Sequence, residues 1–119
     1  AWVLVSACGC DGPGAGAGLP LAQRLQHEDP DVRLRAVWEA GERKAPEAVP
    51  FLVDRLSDSE VDVRVFAAVA LEKATGRRMG YCAYDPPDRR AEAIRRWRDW
   101  LEAGRPAEPA TRPAETTAP

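Results

Sequence analysis

The sequence is poor in the residues that carry most catalytic and metal-binding chemistry. It contains one histidine and three cysteines in 119 residues. Cys8, Cys10 and Cys82 form no C-x-x-C pair and lack the paired spacing of zinc ligands. There is no glycine-rich phosphate loop and no Ser/His/Asp arrangement, and His27 has no nucleophile at motif spacing. We therefore predict no catalytic residues, no metal and no cofactor, and we expect His27 in an exposed loop.

The sequence also lacks an excess of either charge. Its 17 basic and 19 acidic residues give a net charge of −2, so no global basic field attracts nucleic acid. The five arginines of residues 89–98 are almost cancelled by four acidic residues of residues 88–102, which is typical of a solvated helix face. We expect no nucleic-acid partner.

Long apolar runs are missing as well, and the run at residues 1–7 is too short to span a bilayer. Val5-Ser6-Ala7-Cys8 resembles the lipobox of bacterial lipoproteins, in which small residues precede the cleavage site at a cysteine. This resemblance implies the end of a signal peptide, diacylglycerol on Cys8 and an exported protein on the periplasmic or cell-surface side, which touches the membrane only through its lipid. An ordinary secretory segment or a strand is the alternative.

Two segments flank the predicted domain, which covers residues 19–104. Residues 9–18 are rich in glycine and predict a flexible tether. Residues 105–119 consist mostly of Pro, Ala, Thr and Glu without a bulky apolar side chain, and they predict a disordered tail. If Cys8 is lipidated, Cys10 and Cys82 remain either as free thiols or as a disulfide.

The domain contains an internal repeat. Residues 21–36 align without a gap on residues 52–67 at an offset of 31 residues. The positions that recur in both units are Leu21, Arg24, Leu25, Asp31, Val32, Arg33 and Ala36. Apolar residues fall at helical spacing, so each unit is predicted to be a pair of helices.

Helix start and stop signals support this division. Asp29-Pro30 predicts an N-cap followed by a proline at the first helical position, and Ser59 with Asp62 resembles a capping box. Ala45-Pro46 opens the third helix. Gly41 is expected to weaken the end of the second helix and Gly76 to end the fourth.

A two-helix unit of this length with Asp-Val-Arg at the start of its second helix resembles the HEAT repeat family. The resemblance covers residues 19–75 and implies an all-α fold, a short α-solenoid of two helix pairs. It also implies a structural ladder of charged side chains between the stacked units, formed by Asp31, Arg33, Asp62 and Arg64. We expect these four residues to stabilise the stack rather than to bind a ligand.

A fifth helix, predicted between Asp85 and Gly104, departs from the repeat and resembles the C-terminal cap of bacterial HEAT-repeat proteins. We expect its apolar stripe, which includes Ile94 and Leu101, to cover the open side of the helix at residues 61–75. The aromatic residues assigned to this cap or to an interaction surface are Tyr81, Tyr84, Trp97 and Trp100.

Within the repeats, Phe66 lies on the longest apolar stripe and is predicted to be a core residue, whereas Arg35 is placed in an exposed ion-pair row with Glu39 and Arg43. The complete pattern predicts a non-catalytic module that docks or scaffolds an unidentified protein partner. Two alternatives stay open, namely an accessory chaperone-lyase module that acts on a pigment protein and a structural spacer.

Overall fold

The computed structural model describes residue 16 and residues 18–105, and all regular secondary structure in that part of the chain is helical. Cys8, Cys10, most of the predicted tether and residues 106–119 lie outside the described residues. The helices are α1 (Leu21–Leu25), α2 (Pro30–Arg43), α3 (Val49–Arg55), α4 (Val61–Thr75) and α5 (Pro87–Glu102), with a 3₁₀ turn at Pro46–Ala48 before α3. The predicted all-α solenoid of two helix pairs and a C-terminal helix is confirmed.

The first long helix begins as its sequence indicates. Asp29 is the N-cap of α2, and its carboxylate accepts a hydrogen bond from the backbone N–H of Asp31. Gly41, predicted to weaken the end of this helix, lies in its last turn, and α2 continues to Arg43 and ends at Lys44, which adopts the left-handed conformation at φ 47°. A β-carbon at Gly41 would stand 3.0 Å from the β-carbon of Ala70. Gly41 therefore lets α2 and α4 approach each other closely.

The start of α4 differs from the predicted capping box. Glu60 is the N-cap and makes no side-chain cap, and Ser59 and Asp62 do not form the reciprocal pair. Instead, the carboxylate of Asp58 accepts the backbone N–H of Glu60 at 3.0 Å. The predicted stop is confirmed, since Gly76 ends α4 in the left-handed conformation at φ 79°.

The two long helices pack side by side and hold the repeats together. Gly41 faces Ala70, and Glu42 pairs with Lys73, so α2 and α4 run parallel. The short helices α1 and α3 pack on α2 and α4, respectively. The largest fully buried side chains are Trp97, Leu25, Leu52, Leu56, Leu71, Val37, Val49, Val53 and Val63. Burial of each aliphatic side chain contributes about 1.5–3 kcal/mol relative to exposure.

The C-terminal helix takes a position that the sequence did not indicate. We expected α5 to cover α4, but it packs mainly along α3, where Arg98 pairs with Asp54 at 3.1 Å. The outer side of α4 is met instead by the loop of residues 76–86, whose Ala83 carbonyl accepts hydrogen bonds from Arg64. Tyr81 in this loop is buried, and its hydroxyl donates to the Leu56 carbonyl. The loop, rather than α5, therefore packs at the C-terminal end of the repeat stack.

Candidate interaction groove

An apolar groove runs between α2 and α4 on the face opposite the short helices. It has a volume of about 380 Å³ and is lined by Leu34, Arg35 and Trp38 from α2 and by Phe66 from α4. The surface of its wall is apolar, so Arg35 contributes its aliphatic stem. Trp38 is 53% exposed, although it is among the largest apolar side chains of the protein. An indole left open to water in a groove is a feature that marks binding surfaces.

Aromatic and cationic contacts fix the position of the Trp38 ring. The rings of Trp38 and Phe66 meet edge to face, with their centroids 5.9 Å apart and an interplanar angle of 69°. The Lys73 ammonium lies 5.3 Å from the Trp38 ring centroid and also pairs with Glu42 at 2.7 Å. Trp38 is thus oriented before any partner binds, which lowers the entropy that binding has to overcome.

The repeat explains why the groove forms at this place. Arg35 and Phe66 are equivalent at the 31-residue offset, and the parallel packing of α2 and α4 puts both on the groove wall. Phe66, predicted to be a core residue, packs against the core cluster but is only partly buried, because it also lines the groove. Sequence reasoning also missed Trp38. Its signal is an aromatic residue placed off the buried positions of α2, which include Val32 and Ala36.

The predicted ion-pair row on α2 is formed only in part. Glu39 pairs with Arg43 at 2.6 Å and reaches across to Arg24 of α1, also at 2.6 Å. The hydrogen bond from Arg24 is the largest cause of the lowered pKa of Glu39. Burial acts in the opposite direction and ranks next, and the hydrogen bond from Arg43 adds to the lowering. Arg35 is exposed as predicted, but it joins no ion pair among the described residues.

Arg33 connects the two repeats. Its Nε and Nη2 donate to both carboxylate oxygens of Asp58, at 2.7 and 2.9 Å. Its Nη1 donates to the carbonyls of His27 and Glu28 in the turn before α2. Arg55 adds a third hydrogen bond to Asp58 at 2.9 Å. Burial acts to raise the pKa of Asp58, but these hydrogen bonds and charges outweigh it and hold that pKa below its usual value.

Arg64 repeats this arrangement one unit later. Its Nη1 donates to the carbonyls of Asp58 and Ser59 in its own turn, and its Nε and Nη2 reach the Ala83 carbonyl in the following loop. Arg33 and Arg64 therefore each form hydrogen bonds both to the turn before their own helix and to the next segment of the stack. The chain uses an acidic partner at the first junction and a backbone carbonyl at the second.

The acidic half of the predicted ladder needs correction. Asp31 and Asp62 are exposed, and among the described residues neither pairs with Arg33 or Arg64. Both lie in the first turn of a helix, where a carboxylate favours the helix dipole. Asp58 takes the bridging role because it lies in the turn, within reach of the preceding repeat. The position equivalent to Asp58 in the first unit is His27, which is half buried and whose Nδ1 accepts the N–H of Asp29 at 3.0 Å.

The aromatic residues predicted for the cap separate into buried and exposed sets. Trp97 is 1% exposed, and Tyr81 is 5% exposed with its hydroxyl donating to the Leu56 carbonyl at 2.6 Å. Both are core residues, and burial raises the pKa of Tyr81. Trp100 is half buried, packs edge to face on Trp97 and lies against a guanidinium. Tyr84, at 76% exposed, is the member of this set that is open to solvent.

The described residues contain no cluster of three or more metal-ligating His, Cys, Asp or Glu side chains. Cys82 is exposed and forms no disulfide among the described residues, and Cys10, its partner in the disulfide alternative, lies outside them. Within that part, no helix combines the length and apolarity needed to cross a membrane. The arrangement that the structure does provide is a preformed apolar groove on the surface of a stacked helical unit.

Comparison with known proteins identifies the family to which this helical stack belongs. The sequence model of the family described as HEAT repeats matches residues 19–96, a range that includes both helix pairs and most of α5. Searches of curated proteins and of solved structures give no match. The family match covers well over half of the chain, and the protein is therefore a member of the HEAT repeat family.

Proposed function

We propose that this protein is a non-catalytic docking module that binds a protein partner through the groove between α2 and α4. The observation that carries the proposal is the exposure of Trp38 over an apolar groove shared by both repeats. HEAT repeats commonly mediate protein–protein interaction or scaffolding, and solenoids bind through extended surfaces rather than enclosed sites.

The groove has the composition expected at the centre of an interface. Tryptophan and arginine dominate the residues that carry binding energy at interfaces, and both are present here as neighbours on α2. The edge-to-face contact with Phe66 and the Lys73 ammonium hold the indole in place. A partner side chain that fills the groove would remove apolar surface from water without a large change in the shape of the module.

Affinity capture with matched variants tests this proposal. The full chain, Trp38→Ala and Tyr84→Ala are each used to capture proteins from the native host, and the captured proteins are quantified by mass spectrometry. Tyr84 is the matched control, because it is an exposed aromatic residue away from the groove. We expect a discrete partner that is retained by the wild type and by Tyr84→Ala and is reduced at least tenfold by Trp38→Ala. Equal recovery with all three proteins would contradict the proposal, and capture of a pigment protein would favour the chaperone-lyase alternative.

We further propose that lipid on Cys8 tethers the module to a membrane. The support is the Val5-Ser6-Ala7-Cys8 sequence and the glycine-rich segment that separates it from the domain. Cys8→Ser in the full-length precursor should abolish incorporation of a fatty-acid probe and release the domain from membranes. Cys82→Ser is the matched control and should label as the wild type does. Unchanged labelling of the Cys8 variant would refute the lipid anchor.

A further inference from the structure

The charge at the groove, taken with its apolar wall, indicates the chemistry of the partner. This inference rests on the proposed docking function. Arg35 lines the groove with its stem, and its side chain is exposed. It could pair with Asp31, four residues earlier on the same helix, but the structure shows no such pair among the described residues. The Arg35 guanidinium therefore lies at the edge of an apolar groove and makes no hydrogen bond or ion pair among the described residues.

The other charges around the groove are arranged differently. Lys73 is engaged by Glu42 and by the Trp38 ring, so its ammonium is already partnered. Asp31 and Asp62 lie one helical turn before Arg35 and Phe66, respectively, at the N-terminal end of the groove. Arg35 and these two carboxylates therefore lie toward the same end of the groove, one helical turn apart.

We propose that the groove binds a segment of a partner protein in which an apolar side chain stands next to a carboxylate. The apolar side chain enters between Trp38 and Phe66, and the carboxylate pairs with Arg35. A guanidinium and a carboxylate form a charge-assisted, two-pronged hydrogen bond, which gives geometric specificity as well as affinity. Asp31 and Asp62 repel a further carboxylate on the N-terminal side of Arg35, so a segment with a single acid binds better than an acidic run.

Two other ligand chemistries fit the groove less well. A cation that stacks on Trp38 would meet the Lys73 ammonium, which lies 5.3 Å from the ring centroid. A nucleic-acid backbone would bring successive phosphates, and the carboxylates of Asp31 and Asp62 oppose such a run of negative charge. A single carboxylate beside an apolar anchor matches Arg35, the cation that borders the groove without a partner among the described residues.

Selection from a peptide library tests this assignment directly. A displayed library of random dodecapeptides is selected on immobilised wild-type protein and on Arg35→Glu, Trp38→Ala and Arg89→Glu. Arg89 is an exposed arginine on α5, away from the groove, so its reversal makes the same change in net charge. Thermal melting by circular dichroism verifies that each variant is folded.

We expect the wild type and Arg89→Glu to select peptides with Asp or Glu within three residues of a bulky apolar residue. Arg35→Glu should select Lys or Arg at that place, and Trp38→Ala should select no common sequence. For a wild-type peptide, loss of the Arg35 contact in Arg35→Ala should weaken binding by roughly tenfold, the size of one charge-assisted hydrogen bond.

The other outcomes separate the two proposals. If Arg35→Glu and the wild type select the same sequences while Trp38→Ala selects none, the carboxylate inference fails and the docking function stands. If all variants, including Trp38→Ala, select the same peptides, both proposals fail. Selection of proline-rich sequences without an acid, similar to residues 106–119 of this chain, would also overturn the inference, because it would assign the groove to such a segment. The absence of any selected sequence on the wild type would overturn it as well.

Discussion

Replacement of Asp58 should cost more stability than any other single replacement of an acidic residue in this stack. The Asp58 side chain is 1% exposed, and it holds Arg33, Arg55 and the backbone N–H of Glu60. Asp58→Ala leaves the Arg33 guanidinium largely buried without its counter-charge. Loss of one partner from such a pair costs about 3–5 kcal/mol. We expect the lower part of this range, because Arg33 keeps its two hydrogen bonds to backbone carbonyls.

A set of variants separates charge from hydrogen bonding at this site. Asp58→Asn retains an acceptor for the Glu60 N–H but loses the charge, and it should cost less than Asp58→Ala. The double variant Arg33→Met/Asp58→Leu removes both charges and should be more stable than either single charge deletion. Glu39→Ala is the matched control, because its ion pairs lie nearer the surface and should contribute about 1 kcal/mol or less.

The contribution of Asp58 to the free energy of unfolding should also depend on pH. The pKa of Asp58 is lower in the folded protein than in the unfolded chain, so the folded state favours the charged form. Its contribution to stability is therefore complete above the unfolded pKa of about 4 and is lost as the pH falls through the folded pKa. The stability difference between the wild type and Asp58→Asn should shrink below about pH 4.

Urea unfolding followed by circular dichroism at pH 7 and at pH 3 measures these differences. If Asp58→Ala and Glu39→Ala lose the same free energy of unfolding at pH 7, the carboxylate does not join the repeats. A loss that is independent of pH would likewise refute the charge argument.

Three further perturbations follow from the burial of particular groups. Phe66→Ala should cost about 1–2 kcal/mol in urea unfolding because its side chain is only partly buried, whereas Leu71→Ala in the core should cost about 2–5 kcal/mol. Equal losses would contradict the groove assignment. Tyr81→Phe should lose about 1 kcal/mol at neutral pH with its buried hydrogen bond. Because burial raises the pKa of Tyr81 in the folded state, the wild type should also lose stability as the pH rises above about 10. If Tyr81→Phe loses the same stability above about pH 10, Tyr81 is not the cause. Deletion of residues 87–119 should expose the core and abolish cooperative melting, whereas deletion of residues 106–119 is the length control that keeps every helix.

Much of the architecture is predictable because it follows from local rules. The 31-residue offset places equivalent helices in both units, and Asp29 and Gly76 act as the cap and the stop that their residue types favour. The arginines of the two Asp-Val-Arg segments perform the same task in both turns. These features depend on residues close in sequence or on a repeat that can be aligned by eye.

The groove was harder to predict because it depends on how the helices pack. Arg35 and Phe66 occupy equivalent positions, but one was assigned to the surface and the other to the core from the chemistry of each side chain alone. Parallel packing of α2 and α4 puts both on one half-buried wall. Likewise, the partner of Arg33 is Asp58, 25 residues away, and no local pattern distinguishes it from the nearer carboxylate of Asp31.

The position of α5 shows the same limit. Its amphipathic stripe predicts a buried face correctly, since Trp97 and Ile94 are buried. The pattern does not specify which helix that face covers. Arg64 and Tyr81 bind the loop before α5 to the stack, and α5 packs on α3.

The most direct test of the docking function is photo-cross-linking in the native host. A photoreactive phenylalanine analogue replaces Trp38 in one strain and Tyr84 in another, and both proteins are expressed at the same level. We expect one discrete cross-linked protein from position 38 and none of that mass from position 84, because the groove and not the exposed tyrosine contacts the partner. Cross-linking of the same protein with equal yield from both positions, or from position 84 alone, would contradict the assignment of the groove as the binding site.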